Sequence, residues 1–492
     1  MNVVLVIFDT LREDCISCLG SPPWGKVYTP NIDAFARESV VIPRCYPEAL
    51  PTLQARRAIY TGRRVTPFKE NYRYKGDFIG APGWGPIPED QITISEILQS
   101  QGYTTGLISD IQHMFKPSKN FHRGFDEWIW VRGYEADSYR SGPLPSKEEI
   151  EFWLPEELRE SIYINFLKKC LMNVKDNKNE EDYSVARVMT EAVRWLKQNK
   201  DKDKKFLIVE SWSPHEPWFV PDYYRKKYLR EELHQQVISP YMDVTNLPST
   251  ILDSTRANYS GLVSMCDKWF GYLIENLNDL GMLDDTLIIV TTDHGHSLGD
   301  NGYIGKRGYP SSPEVFKIPV FIRHPDNNLV RGIKSNIMVQ HIDITATILD
   351  ILNIKSFKGN LFKLSFDPID EKEIETKFDE IPIDGISFYN TLINGKEKFR
   401  DHVTVGWGTA VTVINDNWWL NCRVNGKGPF LYDISKNKDL EKNVADLNPN
   451  LVKQLFKLAK KDIGKKFPDY LIDMANKEKD FPGCSSLAAE NI

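Results

Sequence analysis

Two apolar runs in this chain end in acid. Residues 286–292 are Thr-Leu-Ile-Ile-Val-Thr-Thr, the β-branched composition of a buried strand, and Asp293-His294-Gly295 follows at once. Residues 3–8, Val-Val-Leu-Val-Ile-Phe, are of the same kind and lead into Asp9. In open α/β sheets, ligands bind just beyond the carboxyl ends of the strands. If both strands lie in one parallel sheet, Asp9, Asp293 and His294 meet at one edge. That mixture of oxygen ligands with an imidazole suits a hard divalent cation. A lone Asp after a strand is usually a turn former or a helix cap. The recurrence of the pattern is what favours a site.

A third stretch, residues 51–64, adds a hydroxyl and a guanidinium. The spacing predicts a short helix over 53–60 with Thr52 at its N-cap. A hydroxyl there sits beside free backbone N–H groups at the positive end of a helix, where an anion is favoured. Arg56, one turn on, is placed to aim at the same anion. Taken alone, the same residues also describe an ordinary threonine cap beside a solvated basic face.

Together the three stretches resemble the sulfatase branch of the alkaline phosphatase superfamily. Sulfatases open with a strand and an acidic pair, then carry Cys-x-Pro-x-Arg running into Thr-Gly. Counting back from Thr61-Gly62, Arg56 falls on the family arginine and Thr52 on the nucleophile. Further segments recur in order. Residues 211–219, with His215, resemble the Pro-His-x-Pro-Phe segment. Residues 259–271 resemble the helix carrying a family Asp, here Asp267. Residues 293–306 resemble the second metal motif with its downstream lysine, Lys306. Residues 340–350, with His341 and Asp343, resemble the helix after it, and residues 417–433 the C-terminal strand pair. The resemblance runs to about residue 460.

It implies an α/β fold, a mostly parallel central sheet flanked by helices with a smaller C-terminal α+β subdomain. It also implies a hydrolase of sulfuric or phosphoric esters. Asp9, Thr52, Asp293 and His294 are the expected metal ligands, and Thr52, Arg56, His215 and Lys306 the expected catalytic set. Thr10 stands where sulfatases often have a second Asp, and His296 where they often have Glu. His296 is expected behind the ligands or on an additional metal. Residues 109–113 stand where the family has Gly-Lys-Trp-His, with Asp110 replacing the anion-binding lysine. His113 is either at the substrate or a satisfied loop histidine. His341 and Asp343 are expected to orient loops.

Thr52 is the informative departure. Most sulfatases oxidise a Cys or Ser here to formylglycine; a Thr would give a ketone, and the motif's Pro is Gln54. No formylglycine is expected, and Cys45 lies seven residues too early to substitute. Thr is the nucleophile in relatives that work on phosphorus, the lipoteichoic acid synthases and phosphoethanolamine transferases. They combine one acid, a Thr and an Asp-His pair around one metal. The expected cofactor is therefore one divalent ion, Mn²⁺, Zn²⁺, Ca²⁺ or Mg²⁺. The expected mechanism is attack by Thr52 on phosphorus, with His215 or a water serving the leaving oxygen. A phosphodiester or phosphonate monoester is the favoured substrate. A sulfate ester cleaved by unmodified Thr, phospho-group transfer to another alcohol, and a degenerate binding protein are the alternatives.

The resemblance implies a small-molecule or glycan- or lipid-derived ester as substrate, and composition bounds the rest. At 492 residues the chain calls for one large domain and a smaller one. A net charge of −6 argues against bulk binding to nucleic acid or anionic membranes. No apolar run approaches a membrane span and no signal peptide is seen, so a cytoplasmic protein is expected. Cys15 and Cys18 lack a second pair to complete a zinc site, and the seven cysteines read as free thiols.

The elements that must position these groups follow from periodicity. Strands are expected at 40–42, 103–109, 206–210 and 317–324, and helices at 31–39, 94–101, 185–196, 258–280 and 342–352. Their alternation means a parallel sheet. Residues 135–182, charged and weakly periodic, are expected to be an insertion over the active-site edge. A catalytic unit over 1–370 is expected to give way to a C-terminal unit over 371–492. That unit is read as antiparallel strands at 402–413, 418–423 and 430–432, a helix at 450–462 and a loosely packed tail.

Overall fold

The computed structural model describes residues 1–69, 81–154, 156, 162–229, 237–238, 240–245, 247–326, 328–360, 375–436 and 440–477. Its main sheet runs, from one edge, Ile333–Lys334, Val40–Tyr46, Ile318–Arg323, Thr286–Thr292, Asn2–Phe8, Lys205–Ser211, Thr104–Ser109 and Glu127–Trp130. The last five are mutually parallel. Ile318–Arg323 runs against both neighbours, so the sheet is mostly parallel with one reversed strand.

The continuous apolar runs are explained by burial on both faces. Val4, Val6 and Phe8 join a core with helices Ser184–Gln198 and Ser249–Asp279. Val3, Leu5 and Ile7 point the other way, into a core with helices Thr52–Thr61, Ile94–Ser100 and His341–Ile351. Strand register then sets the chemistry. Phe8 pairs with Thr292 on one side and Ser211 on the other. The residues that follow, Asp9, Asp293 and Trp212, therefore leave the sheet level with one another.

Three expectations are corrected. The helix expected over 258–280 begins at Ser249, because its first turns carry Ile251, Ser254 and Thr255 inward, and small polar residues hide the apolar period. The strand expected over 402–413 is a hairpin, His402–Trp407 and Ala410–Asn415, turned at Gly408 with φ 53°. The tail is packed as far as helix Asp469–Asn476, with Leu471 and Ala475 in the C-terminal core. The 370/371 boundary lies outside the described residues.

The C-terminal sheet is not separate from the site. Its five strands are Phe430–Asp433, Trp418–Arg423, Ala410–Asn415, His402–Trp407 and Ala49–Leu50. The last comes from the N-terminal region and ends two residues before Thr52, so this sheet anchors the start of the Thr52 helix. The 135–182 segment contains helices Lys147–Trp153 and Ile162–Val174. They share a small core with Phe219 and Val237 beyond the carboxyl end of Lys205–Ser211. Among the described residues, no helix is long and apolar enough to cross a membrane. Cys15, Cys18, Cys45, Cys170, Cys266 and Cys422 are free thiols.

Candidate active site

Asp9, Asp293 and His294 converge as the strand order requires: one ligand atom from each lies within 4.8 Å of the others, and all three are buried. The turn after Asp9 is strained. Thr10 has φ 63°, a left-handed value that a β-branched residue adopts only when held there. Its N–H donates to Asp293 Oδ1 at 2.9 Å, its hydroxyl donates to Asp9, and its carbonyl accepts from Tyr259 Oη at 2.8 Å. Gly295 is required after His294, since a Cβ there would meet the Glu314 carbonyl oxygen at 1.9 Å.

The donor set fits a divalent cation. His294 Nδ1 lies 3.0 Å from the Gly295 carbonyl, which only accepts, so Nδ1 carries the hydrogen. Nε2 is then an unprotonated donor atom, buried and without a hydrogen-bond partner. Burial pushes the ring down to about 4, which keeps it neutral. Asp9 Oδ2 is also buried without a hydrogen bond. Burial, then the charge of Asp293, push Asp9 well above the usual carboxylate range. For Asp293 burial is outweighed by His294 and Arg56, and its carboxyl lies below that range. Two carboxylates that resist ionising together are what a cation between them would relieve.

Arg56 differs from expectation. Rather than keeping its whole fork for an anion, it is fully buried and gives every nitrogen but Nη2 to carboxylates and the Thr52 carbonyl. Its Nε donates to Glu210 Oε2 at 2.5 Å; its Nη1 donates to Asp293 Oδ2 at 2.6 Å and to the Thr52 carbonyl at 3.2 Å, and lies 3.0 Å from Asp9 Oδ2. Three buried acids need this positive charge nearby. Its Nη2 makes no hydrogen bond. Thr52 is the first residue of the helix Thr52–Thr61 rather than its N-cap, which is Pro51, and its hydroxyl does not cap. Because one guanidinium nitrogen touches the Thr52 carbonyl, Asp9 and Asp293, the start of this helix lies against the carboxylate cluster. Gln54, at the motif's Pro position, donates to the Pro82 carbonyl at 2.7 Å.

A second group of side chains surrounds Glu216. Lys306 Nζ is 3.3 Å from Glu216 Oε2, and Tyr241 Oη donates to Oε1 at 2.7 Å. His215 Nδ1 lies 2.5 Å from the Glu216 carbonyl and His296 Nδ1 2.8 Å from that of Ser297. In both rings Nδ1 therefore carries the hydrogen. Burial pushes His215 down to about 4 and His296 to about 3. As a neutral ring, His215 presents an acceptor at Nε2, so it must first gain a proton before it can serve a leaving group. Lys306 joins the two groups: its charge acts on Asp9 and His294 as well as on Glu216, His215 and His296. His113 sits between the Trp84 and Trp212 rings, 3.6 Å from Glu135, and Trp212 in turn packs against the His215 ring at 4.6 Å. It is thus one aromatic ring removed from His215.

Several matched residues hold the frame. Asp110 accepts from the Trp212 N–H and the Ser184 hydroxyl, each at 2.6 Å, and burial pushes it up to about 6. His341 Nε2 lies 3.0 Å from the Thr292 carbonyl, beside the strand end that presents Asp293, and Asp343 pairs with Arg400. Asp267 accepts from the N–H groups of Asn31 and Ile32, at 3.2 and 2.7 Å, in the first turn of helix Pro30–Arg37. Asp267→Ala is expected to lower the unfolding free energy by about 1–3 kcal/mol in a urea titration, the scale of orphaned buried donors, while leaving metal affinity unchanged.

Sequence reasoning gave no role to Glu210, Glu216 or Tyr241. Glu210 had a signal, a carboxylate directly after the apolar run 206–209 and before Trp212, where a buried charge survives only with a partner. Glu216 was visible only as the variable residue after His215. Tyr241 had none, since its place beside Glu216 depends on tertiary structure.

Comparison with known proteins agrees with this architecture. Over 393 residues the chain is 26% identical to the multifunctional alkaline phosphatase superfamily protein PehA of Trinickia caryophylli, covering 71% of this chain and 73% of that one. It is 23% identical over 427 residues to an arylsulfatase of Clostridium perfringens, covering 81% and 85%. The fold matches the crystal structure of the phosphonate monoester hydrolase of Agrobacterium radiobacter with a TM-score of 0.67 at 19% identity, over 94% of this chain and 96% of that one. The family model described as Sulfatase matches residues 1–354, and with most of its length so matched the chain belongs to the sulfatase family of ester hydrolases, within the alkaline phosphatase superfamily.

Proposed function

We propose that this protein hydrolyses a phosphodiester or a phosphonate monoester through covalent attack by Thr52. The observation that carries this reading is the residue at the start of the Arg56 helix. It is a threonine, which cannot become formylglycine, next to a buried Asp-Asp-His cluster. The description of PehA as multifunctional and the fold shared with a phosphonate monoester hydrolase are consistent with it.

Asp9, Asp293 and His294 would hold the divalent ion. Such an ion, when bound, lowers the pKa of a nearby hydroxyl and polarises phosphoryl oxygens. In the first step Thr52 Oγ bonds to phosphorus, the bond from phosphorus to the leaving oxygen breaks, and an alcohol departs. The proton lost by the threonine and the one gained by the alcohol balance, and Nε2 of His215 is an unprotonated nitrogen suited to carrying it. Lys306 and the Nη2 group of Arg56 face the non-bridging oxygens as charge shifts onto them. Water then attacks phosphorus from the opposite side and restores Thr52.

A second reading, hydrolysis of a sulfate ester by the same unmodified threonine, is favoured by the family match itself. Turnover of matched nitrophenyl esters by metal-reconstituted protein separates the two. Diester or phosphonate cleavage at rates well above sulfate is the expected result. Sulfate cleavage alone would replace the first reading with the second. Metal binding without turnover of any ester would indicate a binding protein.

A further inference from the structure

Each cation of the site is already matched to a carboxylate of its own. Arg56 is held by Glu210 behind it, and Lys306 lies against Glu216. Glu216 is a built feature rather than a chance neighbour. It is buried, Tyr241 fixes one carboxylate oxygen, and the other stands 3.3 Å from the Lys306 ammonium and makes no hydrogen bond. Its other near neighbours are His215 Nδ1 at 3.4 Å, which donates instead to the Glu216 carbonyl, and His296 Nε2 at 3.6 Å. Both rings direct Nδ1 to backbone carbonyls and lie farther off than the ammonium, so Lys306 is the cation that Glu216 compensates.

The balance of the whole site follows. A divalent ion on Asp9, Asp293 and His294, together with Arg56 and Lys306, offsets the carboxylates Asp9, Glu210, Asp293 and Glu216. An arriving anion meets a pocket whose charges already cancel. In a buried site the first negative charge is met by directed N–H donors and an open metal position, but each further charge lacks a counter-ion and keeps its desolvation cost.

We propose that Glu216 sets the charge selectivity of this active site, neutralising Lys306 so that singly charged esters are preferred over doubly charged phosphate monoesters. This rests on the placing of Lys306 at the substrate anion in the reading above. Glu216 acts through Lys306 and is a positioning residue.

The test compares metal-reconstituted wild-type protein with Glu216→Gln and Glu216→Asp. The readout is the ratio of kcat/KM for nitrophenyl phosphate, at a pH where it is a dianion, to that for a nitrophenyl phosphodiester or phosphonate monoester. Glu216→Gln is expected to shift the ratio toward the dianion by about tenfold or more, the scale of removing one close charge from a buried pair. Glu216→Asp keeps the charge and is expected to keep the ratio even if kcat falls. A uniform loss on all esters, with the ratio unchanged in Glu216→Gln, would overturn the proposal. If Glu216→Gln does not fold, Tyr241→Phe, which frees the carboxylate to turn away from Lys306, is expected to shift the ratio the same way, and an unmoved ratio overturns the proposal there too. Calorimetric binding of inorganic sulfate, a tetrahedral dianion, against perchlorate, a tetrahedral monoanion, gives a readout independent of turnover. Glu216→Gln is expected to gain affinity for sulfate over perchlorate. If the protein proves to cleave sulfate esters alone, the phosphoryl reading fails while this binding ratio still decides the role of Glu216.

Discussion

Thr52→Ala is expected to remove turnover of every ester by at least about 10³-fold while the protein still folds and binds its metal. The size of the effect follows from what is left behind. Asp9, Asp293, His294, Arg56 and Lys306 remain, so anion binding and polarisation persist, but no atom of the chain is left to form the covalent bond. Neighbouring groups do not replace it. The Thr10 hydroxyl is bound to Asp9, and the Cys45 thiol is buried and pushed up well beyond its ordinary range by that burial. Thr52→Ser keeps the hydroxyl at the same backbone position and is expected to retain turnover. Steady-state kinetics on the cleaved ester, with metal content measured in parallel, checks both variants. Loss of metal together with activity in Thr52→Ala would instead make the threonine a ligand more than a nucleophile.

Arg56→Gln is expected to cost about 3–5 kcal/mol of folding stability, the range for removing one partner from a buried ion network. It leaves Glu210 with only the Tyr60 hydroxyl, at 2.7 Å, and leaves Asp9 and Asp293 facing each other without a cation. Divalent metal is expected to recover part of this loss, because it compensates the two aspartates but not Glu210. The pH dependence has a definite sign. Burial pushes the Glu210 carboxyl up even with Arg56 present, so the folded protein keeps this proton to higher pH than the unfolded chain does. Stability from this group is fully present below the unfolded carboxyl range and declines as pH rises through the folded value. Without Arg56 that window extends upward. The deficit of the variant against wild type is therefore expected to be larger at neutral than at mildly acidic pH, as read from urea midpoints. Glu210→Gln placed on top of Arg56→Gln is expected to restore stability, since a neutral amide removes the unpaired charge.

The parts of the site carried by strand ends were legible in the sequence. Short continuous apolar runs rich in β-branched residues favour buried strands, and a parallel sheet brings their carboxyl ends together, so Asp9, Asp293 and His294 followed from pattern and topology. The C-terminal hairpin was missed because Gly408 was passed over inside an apolar run, although glycine there supplies the left-handed turn. The direction of Arg56 was not legible. A helix-face arginine looks the same whether it meets solvent, an anion or a carboxylate, and here Glu210 on a neighbouring strand decides it. Nor was the Ala49–Leu50 strand, which is too short to show a period and is defined only by its pairing with His402–Trp407. Glu216 and Tyr241 come from segments far apart in sequence, and their meeting is a property of the packed loops alone.

The central claim is that Thr52 itself forms the covalent bond. Rapid acid quench of metal-reconstituted protein mixed with a nitrophenyl phosphonate or phosphodiester, followed by peptide mass analysis, tests it most directly. The expected result is the mass of one phosphonyl or phosphoryl ester group on the peptide containing Thr52, formed with the first burst of nitrophenol and absent from Thr52→Ala. Steady turnover with the group on another residue, or in Thr52→Ala at the wild-type rate, would contradict it.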